Sequence, residues 1–290
     1  LALVSCSPAP DSHSTSTAKT NPQTAEDVQW TPMAASDYPD PPEGLPEDLP
    51  STLPVDEYVA FAWNDLGMHC YQGEFSSFLI LPPYNVYWSQ VVRREEKPVV
   101  ITDGLQVRYV THHVSHPELH SNFWDYASAY GWDLDPGEGL TGAHTSGYME
   151  AKSDHFIAEG VPTVDYADDG TWDPFPMFLV SVKDDAGTML AQTLNVAPTS
   201  TEMACDLCHQ GGTFQESMRN VLQTHDKYEE TDLLASAEEG RPVICCSCHS
   251  DPAMGFMENK DCELSLSAAM HGFHADKINR EEFSLPKNAC

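Results

Sequence analysis

Apolar residues between positions 55 and 200 come in short runs that suit β-strands. Residues 105–111 alternate apolar and polar side chains, as a half-buried strand does. Residues 177–183 and 188–196 flank a short turn that ends in Gly187, which predicts a β-hairpin. Further runs bounded by Gly, Pro or Asp predict strands at residues 58–63, 78–81, 85–91 and 98–101. We therefore predict a β-rich, sandwich-like domain over residues 55–200.

Two stretches beyond residue 200 have helical character instead. Residues 213–230 begin with Thr213 and Glu216 at the spacing of a capping box, and residues 262–277 form the second stretch. Before residue 200, within the β-rich region, we expect long loops at 112–176, with one short helix near residues 150–159. Residues 201–290 are therefore predicted to form a second domain, mostly helical or irregular.

The first 54 residues have a composition that does not suit a folded domain. Residues 7–54 contain ten prolines and eight acidic residues, but Lys19 is their one basic residue. Such a segment buries too little apolar surface to offset its chain entropy, so we expect a disordered tether over residues 6–54. Residues 1–5 are the expected remnant of a signal peptide, because Leu3-Val4-Ser5-Cys6 resembles a bacterial lipobox in which Cys6 carries the lipid.

The charge balance argues against two classes of partner. With 14 basic and 45 acidic residues, the formal net charge is −31. A nucleic acid or an anionic membrane surface needs a basic face on the protein, so we expect binding to neither. Because the sequence has no apolar run long enough to span a bilayer, the expected membrane contact is the N-terminal lipid anchor.

Two pentapeptides carry the most specific chemistry of the sequence. Cys205-Asp-Leu-Cys208-His209 and Cys245-Cys-Ser-Cys248-His249 both match C-x-x-C-H, the attachment signature of c-type haem. Two thiols at this spacing reach the two vinyl groups of one porphyrin, and the following imidazole reaches the iron from the same side. We therefore predict at least two haem c groups, attached through the four cysteines, with His209 and His249 as the proximal iron ligands.

Other chemistries of paired cysteines fit this pattern less well. A zinc site would leave both histidines unexplained, and 36 residues separate Cys208 from Cys245. A thioredoxin-like redox pair needs a βαβ context that the pattern does not show. Simple disulfide pairing is awkward for the adjacent Cys245 and Cys246. A disulfide among Cys70, Cys246 and Cys262 fits an oxidising compartment, with the pairing left open.

The sixth position of each iron needs a ligand unless the site is catalytic, and the chain has 13 histidines to supply one. His271 and His274 lie three residues apart on one predicted helix, so either could reach a haem packed against it. Methionines are alternative axial ligands that would raise the potential. The expected distal ligands are drawn from His225, His271, His274 and His69. Four more histidines follow a predicted strand: His112, His113, His116 and His120.

These features together resemble a bacterial multihaem c-type cytochrome lipoprotein. The resemblance rests on the two haem motifs and on residues 63–70, 241–249 and 266–275, and it covers residues 55–290. It implies a β-rich region followed by a row of bis-His haems that relay electrons. We interpret Cys290, 42 residues after Cys248, as the start of a third haem motif.

The resemblance also implies where the protein works. We expect an exported, outer-membrane lipoprotein on the periplasmic or cell-surface side, with electron transfer as its function. Its expected partners are other redox proteins or an electropositive electron acceptor, because the chain itself is strongly acidic. Two alternatives stay open: a multihaem oxidoreductase with one open haem that acts on a small inorganic substrate, and a surface binding module with ancillary haems.

Overall fold

The structure is a computed structural model that describes residues 57–201, 203, 205–209, 211–258 and 262–277. The predicted signal-peptide remnant and tether, Cys6 and Cys290 lie outside these residues. The strands are β1 Tyr58–Asn64, β2 His69–Cys70, β3 Phe78–Leu79, β4 Tyr84–Arg93, β5 Val99–Val100, β6 Leu105–His112, β7 Ser146–Tyr148, β8 Glu150–Ala151, β9 Phe156–Pro162, β10 Met177–Asp184, β11 Met189–Val196, β12 Thr199–Ser200 and β13 Val243–Ile244. The α-helices are α1 Phe123–Tyr126, α2 Phe214–Glu229, α3 Leu233–Glu238 and α4 Leu266–Lys277.

These elements belong to two compact units. The first, called here the β unit, contains the described residues of 57–73 and 82–203. The second, called here the motif unit, contains Glu74–Leu81 and the described residues of 205–277. The motif unit thus includes a short segment from within the region that the sequence assigns to the β-rich domain. Parallel pairing of β3 with β13 holds this segment, and the side chains of Phe78 and Leu79 are buried.

Two antiparallel sheets build the β unit. In the first sheet the strand order is β1-β4-β9-β8, with β5 paired to β4, and in the second it is β11-β10-β6-β7. Residues of both sheets share one hydrophobic core, in which Tyr87 of β4 stacks on Phe178 of β10 with 3.9 Å between ring centroids. The β-rich region predicted from the sequence is therefore confirmed. The predicted hairpin is confirmed as well, because β10 pairs with β11 across the turn at Gly187.

The short helix predicted near residues 150–159 is wrong. The chain there forms β8 and β9, which pair with each other, and β9 also pairs with the distant strand β4. Most of β9 is buried, including both Phe156 and Ile157, so the alternation that marks a half-buried strand is absent from its sequence. Hydrogen bonds to β4 and burial in the core outweigh the local preference of this segment.

The helices of the motif unit begin close to where the sequence predicts. Thr213 is the N-cap of α2, and its hydroxyl accepts a hydrogen bond from the Glu216 N–H while the Glu216 carboxylate accepts one from the Thr213 N–H. This is the predicted capping box. The second helical stretch becomes α4, which begins at Leu266 rather than at residue 262. No helix in the described part of the chain is long and apolar enough to cross a membrane.

Candidate haem-attachment sites

The two C-x-x-C-H motifs share one backbone conformation. Cys205–Leu207 and Cys245–Ser247 each form a single 3₁₀ turn. In the first motif the N–H groups of the second cysteine and of the histidine both donate to the Cys205 carbonyl, at 3.2 and 2.8 Å. The second motif repeats both bonds on the Cys245 carbonyl, at 3.3 and 3.1 Å. Residues three and four positions apart in such a turn lie on one side of the chain, so each motif gathers its two sulfurs and its imidazole.

The four motif cysteines are thiols and form no disulfide with each other. Burial raises the pKa of Cys205 and raises that of Cys245 to about 12. Among the described residues, no three His, Cys, Asp or Glu side chains converge as the ligands of a metal ion would.

The histidines that end the two motifs have the same free nitrogen. The Nδ1–H of His209 donates to Oδ1 of Asn220 at 3.2 Å, and the Nδ1–H of His249 donates to the Leu264 carbonyl at 2.9 Å. Both partner oxygens are acceptors, so the proton of the neutral imidazole is on Nδ1. Nε2 then carries the lone pair in both rings. This nitrogen is the one that can bind a metal, with the Nδ1 partner fixing the orientation of the ring.

The other three described histidines of the motif unit have the same tautomer. In α4, His271 and His274 donate Nδ1–H to the backbone carbonyls of Ser267 and Met270, both at 2.7 Å. On α2, His225 Nδ1 lies 3.0 Å from the Thr231 hydroxyl, which itself donates to Asp226 and so accepts from the imidazole. All five rings of this unit therefore present an unprotonated Nε2.

One of these histidines lies next to a motif histidine. The rings of His209 and His274 have centroids 6.2 Å apart and planes at 85° to each other. Burial lowers the pKa of His225, and the charge of His249 contributes to the shift. His271 is exposed on α4. The structure therefore brings one of the predicted distal candidates, His274, into contact with a motif histidine.

His69, the fourth predicted distal candidate, has a different environment. Its side chain is buried in the β unit, where Nε2 donates to the Pro82 carbonyl at 2.9 Å and the ring packs against Tyr84 with 4.8 Å between centroids. Burial lowers its pKa to about 4, so the ring is neutral at pH 7. Nε2, the unprotonated nitrogen in the histidines of the motif unit, is thus hydrogen-bonded in His69, as is common for a histidine in a protein core.

A disulfide among Cys70, Cys246 and Cys262 is wrong. Cys262 is half of a disulfide, but Cys70 and Cys246 carry thiols. Cys70 lies in β2 of the β unit, whereas Cys246 is buried inside the turn of the second motif.

Two features of the first site have no signal in the sequence. Asn220 reaches His209 because α2 folds back on the motif turn, which depends on the conformation of the chain between them. Gly211 allows this fold-back: a Cβ at this position would lie 2.5 Å from Cβ of Glu216 and 2.7 Å from the N atom of Ser217. The Gly211 N–H also donates to the Ser217 hydroxyl at 3.0 Å, which ties the motif to the first turn of α2.

Comparison with protein-family models and with curated proteins found no relative of this chain.

Proposed function

We propose that this chain is an electron-transfer protein whose motif unit is a mostly helical and irregular haem domain holding at least two haem c groups. Cys205 and Cys208 would attach one haem, and Cys245 and Cys248 the other. The observation that carries the proposal is the shared turn of the two motifs, each ending in a histidine with Nδ1 engaged and Nε2 available. When bound, haem c supplies a one-electron Fe(III)/Fe(II) couple.

The cysteines and the histidine of each motif have different roles in haem binding. Each cysteine would hold haem through a thioether, formed by net addition of its S–H across one vinyl group, which needs no oxidant or reductant. His209 and His249 would supply Nε2 to the iron. Asn220 and the Leu264 carbonyl hold these rings in place through Nδ1, which also makes the imidazoles better ligands.

An electron carrier is favoured over an enzyme with an open haem. The motif histidine His209 has a second histidine beside it, His274, and both rings have Nε2 available. An iron with two histidine ligands has no vacant position for a substrate. The charge of −31 supports a basic protein or another electropositive acceptor as the redox partner. Lipidation at Cys6, export and an outer-membrane location remain parts of this proposal.

The test is a count of covalent haems in the full chain after expression with a c-type maturation system. The denatured mass should carry at least two haem increments, and haem staining should persist on a denaturing gel. The paired change Cys205→Ser and Cys208→Ser should remove one increment, and Cys245→Ser with Cys248→Ser should remove another. Cys246→Ser is the matched control and should keep every haem. An unmodified mass, or zinc at stoichiometric level, would contradict the proposal.

A further inference from the structure

The geometry between His209 and His274 suits two ligands of one metal. Two imidazoles that bind a metal from opposite sides through Nε2, at metal–nitrogen distances of about 2 Å, have ring centroids roughly 6 Å apart. The observed separation is 6.2 Å. Both rings carry their proton on Nδ1, so both Nε2 atoms have a free lone pair. The distance and the tautomers therefore agree with a bis-histidine site.

We infer that His274 is the distal iron ligand of the haem attached at Cys205 and Cys208, with the planes of the two axial imidazoles close to perpendicular. The inference rests on the proposed function, since it requires haem at the first motif. It selects one histidine of α4 over the other, because His271 is exposed one turn earlier on the same helix. The observed angle of 85° between the rings of His209 and His274 sets the expected orientation.

Helix α2 contacts one ligand directly and the other through a neighbouring ring. Asn220, near the middle of α2, accepts from His209, and Tyr228, near its C-terminal end, packs edge-on against Phe273 of α4 with 5.1 Å between centroids. Phe273 in turn contacts the ring of His274 at 5.6 Å. The two axial ligands are therefore positioned by contacts with the same helix, as a preorganised site requires.

The second motif positions the start of α4. His249 donates its Nδ1–H to the carbonyl of Leu264, and the N–H of Leu266 donates to the carbonyl of Ser250 at 3.0 Å. The proximal histidine of the second site therefore holds the segment that leads into the helix carrying His274. Ligation of the first haem and the conformation of the second motif are coupled through these few residues.

Electron paramagnetic resonance of the oxidised full chain tests this assignment. Perpendicular axial imidazoles give a highly anisotropic low-spin signal with one large g value, whereas near-parallel imidazoles give an ordinary rhombic signal. His274→Ala should remove the highly anisotropic signal and convert one haem to a high-spin form that binds carbon monoxide when reduced. Added imidazole should restore the low-spin form. His271→Ala, on the same helix, should leave the spectrum unchanged.

His274→Met keeps the test decisive if the alanine variant folds poorly. A methionine ligand should preserve the low-spin state and raise the potential of one haem. The inference is overturned if His274→Met changes neither the spectrum nor any potential, or if His271→Ala produces the high-spin haem. The haem count by denatured mass separates these results from a failure of the proposed function. An unmodified chain that carries no haem increments would refute attachment and with it the proposed function. A full haem count together with an unaltered spectrum in the His274 variants would refute only the role of His274.

Discussion

Asn220→Asp is expected to lower the reduction potential of the haem at the first motif by about 50–100 mV. In the structure Oδ1 of Asn220 accepts the Nδ1–H of His209 at 3.2 Å. A carboxylate at this position would place a negative charge beside the imidazole that binds iron through its other nitrogen. The oxidised iron is the more positive state, so the added charge stabilises it and the potential falls.

The size of the shift follows from the distance. The hydrogen bond, the width of the imidazole ring and a metal–nitrogen bond of about 2 Å put the new charge roughly 7 Å from the iron. Coulomb's law then gives about 2.4 kcal/mol at an effective dielectric constant of about 20, and about 1.2 kcal/mol at about 40. For a one-electron couple about 1.4 kcal/mol corresponds to about 59 mV, which yields the stated range.

The assay is a spectroelectrochemical titration of the haem-loaded full chain, fitted as separate one-electron components. Gln223→Glu is the matched control, because it adds the same charge to α2 three residues later at an exposed position where water screens it. We expect one component to move down in Asn220→Asp and every component to stay nearly unchanged in Gln223→Glu. If the two variants shift the potentials equally, or Asn220→Asp raises one, the contact between Asn220 and His209 does not tune this site.

Three further predictions concern the β unit and the surface charge. The buried carboxylate of Asp165 accepts hydrogen bonds from Tyr71 at 2.7 Å and from the N–H and hydroxyl of Thr201, both at 2.8 Å. Asp165→Asn should therefore reduce the free energy of unfolding of this unit by about 2–4 kcal/mol, measured by near-ultraviolet circular dichroism. The control Asp169→Asn, at an exposed position, should reduce it by about 1 kcal/mol or less. Equal losses in the two variants would contradict this reasoning. His69 has a pKa of about 4 in the folded chain against an ordinary 6.5, so the unfolded chain takes up the proton first as the pH falls. The contribution of His69 to stability should be fully present above pH 6.5 and be lost, by up to about 3 kcal/mol, towards pH 4, and His69→Gln should remove that part of the slope. Finally, the rate of electron transfer to a basic acceptor should fall steeply as ionic strength rises, whereas transfer to an acidic acceptor should be slow and become faster with salt. Rates that do not change with ionic strength for either acceptor would leave the charge without a role in recognition.

The sequence by itself determined the features that depend on near neighbours in the chain. The capping box at Thr213 and the hairpin around Gly187 were predictable because each involves residues within a few positions of each other. The C-x-x-C-H spacing belongs to the same class, since one helical turn is enough to gather the two sulfurs and the imidazole of each motif.

Tertiary structure decided everything that joins distant parts of the chain. The segment with β9 is a strand because β4 supplies its hydrogen bonds, and Glu74–Leu81 belongs to the motif unit because β3 pairs with β13. The local sequence pattern gives no indication of either strand pairing. The same holds at the candidate site: the spacing of His271 and His274 favours neither, but in the folded chain the ring of His274 lies 6.2 Å from that of His209, and the adjacent Phe273 contacts Tyr228 of α2. Which histidine approaches the motif therefore depends on contacts between side chains far apart in sequence.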